Sequence, residues 1–249
     1  MSQTSDFINS LKEYNVNSLS KSIYIPSLER EVDFSTLTAK HKRLIIQSAL
    51  DNPIFNAIFN QRVYDLIKEL CSEPAIVDNL TTFDKDAILI QMRYHFVSKL
   101  YKGKDFAHVI EGIREIREDF TPKSDTSDNL IIEYTVPNIK DEKKLYSEYS
   151  NSKNYAIAPS DDDVVREMIS DLYIIELCKY ISIMRLTSSE HTMSFAQQTL
   201  QNKMDITDNI GEEALIKLQT YIEDLKKLHE PMYKIDEDTD IQVTSELFN

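Results

Sequence analysis

Glycine is scarce in this chain, with Gly103, Gly112 and Gly211 the only three in 249 residues, each standing alone. A glycine-rich loop that cradles phosphate cannot be built from them. Cysteine is scarcer still: only Cys71 and Cys178 occur. Two thiols exclude a disulfide scaffold and a cysteine-based zinc site. Both sit in apolar runs, so two buried, reduced thiols are expected. Tryptophan is absent. Long apolar runs are absent too; none approaches the roughly 18 residues that a membrane-spanning helix needs. Positive charge is the last shortage, with 28 Lys and Arg against 42 Asp and Glu and a formal charge of −14. A chain this acidic repels phosphate backbones and anionic lipid, which argues against a general nucleic-acid or membrane binder. The opening Met1-Ser2-Gln3-Thr4-Ser5-Asp6 is not a basic-then-apolar leader. A reducing cytoplasm is therefore the expected compartment.

What is present is enough apolar material, 41% of residues, to bury a core. The patterning predicts a mainly α (α+β) fold: a helical domain with a small N-terminal β-hairpin and one or two further short strands. Phe7, Ile8, Leu11 and Tyr14 recur at helical spacing. Ser22-Ile23-Tyr24-Ile25-Pro26-Ser27 and Glu31-Val32-Asp33-Phe34 read as two strands of a hairpin, with Pro26 at an edge or strand end. Thr38 caps a helix carrying Leu44, Ile45 and Ala49, and Pro53 starts another that runs to about Cys71. Thr82 or Asp84 opens a helix with Ile88, Met92, Phe96 and Leu100 on one face, ended by Gly103. A shorter amphipathic piece spans residues 106–120.

Residues 121–129 read as a loop, and 130–136 as the strongest strand, closed by Pro137. Residues 138–160 are charged and rich in Ser, Asn and Tyr, and are expected to be irregular. The domain reading is 1–120 for hairpin plus helices, 121–160 for strand and connector, 161–230 for a second helical region and 231–249 for an acidic tail. In the second region, Val165, Met168, Ile169, Leu172, Ile175, Leu177, Ile181 and Met184 predict a core helix started by Asp161, Asp162 and Asp163. The last helix, 211–229, sets Leu215, Leu218, Ile222 and Leu225 on a narrow seam suited to a partner helix. The tail should be extended unless a partner orders it.

No catalytic constellation emerges, and no cofactor or metal site is predicted. His41, His95, His108, His191 and His229 form no i, i+4 pair, and His95 reads as structural. Asp161, Asp162 and Asp163 suit a helix start better than a cation, because adjacent carboxylates on a helix diverge. Ser27, Ser98 and Ser194 lack the flanking glycines of a nucleophile elbow. The basic turn of Lys40, Lys42 and Arg43 suits a solvated helix face or an acidic protein surface better than nucleic acid.

Two stretches look familiar. One is Ile23-Tyr24-Ile25-Pro26-Ser27-Leu28, then Val32-Asp33-Phe34, then Leu37-Thr38-Ala39-Lys40-His41-Lys42-Arg43-Leu44. The other is Thr82-Phe83-Asp84 leading into Ile88-Leu89-Ile90-Gln91-Met92-Arg93. Together they resemble the baseplate hub assembly proteins of T-even-type contractile-tailed phages. The resemblance implies a non-enzymatic assembly factor that acts through contacts with hub subunits. Its place would be the host-cell cytoplasm during virion assembly, or the tail baseplate if the protein is instead a permanent structural subunit of the hub. A metal-dependent enzyme using the central carboxylates is the alternative from another class. The expected contact residues are Tyr24, Pro26 and Phe34 of the hairpin, Lys40, Lys42 and Arg43, and the seam of Leu215, Leu218, Ile222 and Leu225. Internal packing is the competing reading of hairpin and seam. Self-association is a further partner class open to the chain.

Overall fold

The computed structural model describes residues 3–51, 56–117, 123–127, 129–153, 162–188 and 191–248. The expected start of a helix at Pro53, and that of another at Asp161, lie outside the described residues. The chain forms two units, residues 1–117 with 231–249, and residues 118–230. Both are mainly helical with small antiparallel sheets, the mainly α (α+β) class that the patterning predicts.

In the first unit, α1 (Gln3–Leu19) leads into the hairpin β1 (Lys21–Ile25) and β2 (Arg30–Phe34). The strands join through a tight turn at Pro26–Leu28, with Glu29 in the left-handed region at φ 49°. Ile23, Ile25, Val32 and Phe34 are buried. α2 (Ala39–Asp51) packs on α3 (Asn56–Leu70). At the start of α2 the buried His41 ring accepts the Thr38 amide at 3.1 Å and meets the Thr38 hydroxyl at 3.2 Å.

α4 (Thr82–Phe96) forms the centre of this unit: all but one of residues 82–93 are buried. Its start is a capping box, in which Thr81 accepts the Asp84 amide at 3.0 Å and Asp84 accepts the Thr81 amide at 2.8 Å. The helix stops at Phe96, short of the predicted Gly103. Gly103 instead turns a hairpin between β3 (Leu100–Tyr101) and β4 (Lys104–Asp105), with Lys102 at φ 49° and Gly103 at φ 81°. Two consecutive positive φ values are what a tight two-residue hairpin requires. Arg93 ties helix to hairpin by donating to the Ser98 and Leu100 carbonyls at 2.8 and 2.9 Å. α5 (Ala107–Glu115) follows and buries Val109, Ile110 and Ile113.

The second unit holds a four-stranded antiparallel sheet in the order β5–β6–β7–β8. β5 (Lys123–Ser127) occupies part of the predicted loop, and β6 (Leu130–Tyr134) is the predicted strand. α6 (Ile139–Lys153) fills the segment expected to be irregular, anchored by buried Ile139, Leu145 and Tyr149. α7 (Asp162–Cys178) ends earlier than predicted, and Ile181 and Met184 belong to β7 (Ile181–Leu186). α7 is only half core: Met168 and Ile175 are buried while Ile169 and Tyr173 are exposed. β8 (Thr192–Ser194), α8 (Leu200–Asp208) and α9 (Glu212–His229) complete the unit. α9 packs on β5 and β6, with the Tyr134 and Tyr221 rings stacked at 4.9 Å.

The chain then returns to the first unit. The tail is ordered rather than extended. β9 (Lys234–Asp236) pairs with β10 (Thr239–Asp240), and a short turn over Ser245–Phe248 packs against α2 and α4. Met232, Ile235, Ile241, Leu247 and Phe248 are buried. Tyr233 donates to Asp86 at 2.8 Å, and Lys104 to Asp236 at 2.6 Å.

Candidate interaction surface

A strand can recruit a partner only through backbone groups left open at its edge. In the N-terminal hairpin each edge is already engaged in part by the rest of the unit. On β1, Tyr24 donates its amide to Gln91 Oε1 at 3.0 Å, and Gln91 Nε2 donates back to the Tyr24 carbonyl at 2.7 Å. One buried glutamine side chain thus takes the place of a neighbouring strand. On β2, the Ser35 amide donates to the Leu70 carbonyl and the Ser72 amide to the Asp33 carbonyl, each at 2.9 Å, with Phe34 bridging Cys71. Arg30 grips Glu73 through two bonds of 2.7 and 2.6 Å. Tyr24, Pro26 and Phe34 are all buried. The expectation that they form a contact surface is corrected here: they are packing.

The same holds for most of the α9 seam. Leu218, Ile222 and Leu225 are buried within the second unit, and Leu215 is half-buried. A 3-4-3 stripe tells which residues share a face, and this face is covered by the sheet.

The basic turn does lie at the surface, with Lys40 and Arg43 exposed and Lys42 half-buried. Part of its charge is spent. Lys40 donates to Glu69 at 3.2 Å, and His41 Nε2 lies 3.4 Å from the same carboxylate. Burial would raise the Glu69 carboxyl, but Lys40 and His41 outweigh it and hold it below the usual carboxylate range.

The surface that sequence reasoning did not single out is α1. Phe7 is 65% exposed, Ile8 46%, Leu11 45% and Tyr14 55%. Phe7, Leu11 and Tyr14, spaced four and three apart, form one stripe along the helix. Charge along α1 is light, limited to Asp6, Lys12 and Glu13 in a chain of net −14. Scattered apolar side chains are ordinary on a protein surface. A contiguous stripe of large ones is the mark of a contact surface. The helical spacing was legible; what could not be read was that these side chains stay exposed among the described residues.

Other predicted candidates are placed as follows. Cys71 and Cys178 are free and buried. Asp163 pairs with Arg166 at 3.6 Å, and both it and Asp162 are exposed. Among the described residues, no three His, Cys, Asp or Glu side chains gather as a metal site. His41 and His229 are buried, and His229 Nδ1 meets the Leu225 carbonyl at 2.8 Å. His95, expected to be held within its helix packing, is instead exposed, edge-on to Tyr94. No helix among the described residues is long and apolar enough to cross a membrane.

Comparison with protein-family models, characterised proteins and solved structures finds no match to this chain.

Proposed function

We propose that this protein is a non-enzymatic assembly factor for the baseplate hub of a contractile phage tail, and that it holds a hub subunit through α1. The observation that carries this reading is the exposed stripe of Phe7, Leu11 and Tyr14. It gives the chain a ready contact face, on a helix whose charge is too light to repel an acidic partner.

The two stretches that carry the resemblance meet in the first unit. Ser27, in the hairpin stretch, donates its amide to Asp84 at 2.9 Å, and Tyr24 exchanges two bonds with Gln91. Asp84 is fully buried and Gln91 nearly so. Residues far apart in the chain thus form one joint whose polar groups satisfy each other, and removing either stretch would leave buried groups unpaired. An assembly factor works by binding a subunit in its joining-competent form and raising that form's population. A folded unit with an exposed apolar helix suits that task.

The test is co-expression with hub subunits of a T-even-type phage, followed by pull-down. Capture of one hub subunit in defined stoichiometry supports the proposal. Capture of none overturns it. Mass spectrometry of purified particles then separates a transient factor from a permanent hub subunit, since only the latter remains at fixed copy number.

A further inference from the structure

The second unit contains a cavity of about 290 Å³ bounded by the end of β6, the start of α6, the α7–β7 junction and α8. That is near the lower end of small-molecule sites, which run from roughly 300 to 1,000 Å³. Two lysines reach its wall, and their circumstances differ.

Lys179 is fully committed. It donates to Glu142 at 2.9 Å, pairs with Glu176 at 2.7 Å and lies over the Tyr146 ring at 5.7 Å. Burial alone would discharge it, but these neighbours outweigh burial and raise its pKa well above the ordinary lysine value.

Lys203 is the opposite case. It is only 7% exposed, lines the cavity, and its ammonium has no hydrogen-bond or ion-pair partner among the described residues. Burial, joined by repulsion from Lys144, lowers its pKa against the weaker pull of Asp141 and Glu148. A largely buried amine with no directly bonded anion is stabilised by any acceptor that reaches it. Asp141 and Glu148 act on Lys203 only at longer range, so the ammonium keeps its hydrogen-bonding positions open toward the cavity.

The remaining lining limits what that acceptor can be. Asp141 and Glu142 share the wall, so a second negative charge on a ligand would be repelled. Val136, Leu145, Ile181, Ile183 and Phe195 offer an apolar surface to the ligand's body. Cys178 Sγ is already engaged with the Thr207 hydroxyl at 3.2 Å, and Ser182 donates to the Glu133 carbonyl at 3.0 Å. Ser194 is left to add a hydroxyl to the lining.

We propose that this cavity binds a small monocarboxylate with an apolar body, the Lys203 ammonium taking the carboxylate. The inference is independent of the assembly role, because every residue in it belongs to the second unit and α1 belongs to the first.

The test uses the full chain with hexanoate as probe, and hexanamide, hexylammonium and inorganic phosphate as controls. Calorimetry should show hexanoate binding, with phosphate and hexylammonium at least about tenfold weaker. Lys203→Met should weaken hexanoate by at least about tenfold and leave hexanamide unchanged. Because this variant could misfold, a second measurement on the unaltered protein reads the rate of Lys203 acylation by peptide mass spectrometry. Hexanoate should slow it several-fold and leave exposed Lys144 unchanged. Hexanoate binding equally well to the Met variant, phosphate matching hexanoate, or Lys203 showing no protection would each overturn the proposal.

Discussion

At the scale of single residues, the polar groups inside this protein are arranged so that few stand alone. Asp84 has three donors: the Ser27 amide, the Thr81 amide and the Thr81 hydroxyl. Cys178 shows the same economy in a thiol. It is buried beside Thr207, and burial pushes its pKa from 9.0 up to about 11. The unfolded chain therefore begins to release this proton near pH 9, while the folded protein holds it until about pH 11. A raised pKa of this kind stabilises the fold below pH 9, and that stability drains away as pH rises through the window. The expected slope is about 1.4 kcal/mol per pH unit, roughly 2–3 kcal/mol in all. Urea denaturation at half-unit steps from pH 8 to 10 reads it, and Cys178→Ala should flatten the slope between pH 9 and 10. A slope unchanged in the variant would assign the loss to other groups.

Elements were legible where their own residues carried the pattern. The hairpin, β6 and α9 each show the right apolar period and form close to their predicted places, and α4 starts where predicted but ends early. Three others were hidden for separate reasons. β5 reads Lys-Ser-Asp-Thr-Ser and has no apolar period, because an exposed edge strand is held by the ladder of β6 rather than by burial. α6 is anchored by a thin line of Ile139, Leu145 and Tyr149, which its many Lys, Glu and Ser residues outnumber. The run from Val165 to Met184 hid a helix-to-strand junction at Lys179 and Tyr180, since both sides are apolar. The contact surface was harder to read than the elements, because spacing sorts residues onto faces without saying which face another element will cover. That is why Tyr24, Phe34 and Leu218 proved to be packing, and why the α1 stripe was passed over.

The tail is the clearest element-scale case. Acidic residues dominate residues 230–249 and suggest an extended segment, yet Met232, Ile235, Ile241, Leu247 and Phe248 anchor it in the first unit. Burying each such side chain is worth about 1.5–3 kcal/mol. Five of them together rival the total stability of a typical domain, about 5–15 kcal/mol. Deleting residues 231–249 should therefore unfold the first unit, not merely trim it. Loss of most amide hydrogen-exchange protection over residues 82–93 is the expected signature, because α4 is the buried centre of the unit and one of the two helices against which the last turn packs. Retained protection there would mean that the tail adds little.

For the molecule as a whole, charge and adhesion lie in different places. The chain carries −14, which keeps it soluble and discourages unspecific association. The α1 stripe, by contrast, presents Phe7, Ile8, Leu11 and Tyr14 with only Asp6, Lys12 and Glu13 among them. If this stripe serves a partner, it can be altered at little cost to the fold, since exposed side chains away from special features usually change stability by less than about 0.5 kcal/mol each. The double variant Phe7→Glu, Leu11→Glu adds two charges to the centre of the stripe. It should melt within a few degrees of the parent and lose the hub subunit in pull-down, because two carboxylates would have to be stripped of water against an apolar partner. A large fall in melting temperature would show that the stripe is packed within the chain. Full retention of the subunit would place the contact elsewhere, and the basic turn of Lys40, Lys42 and Arg43, already at the surface, would be the next face to change.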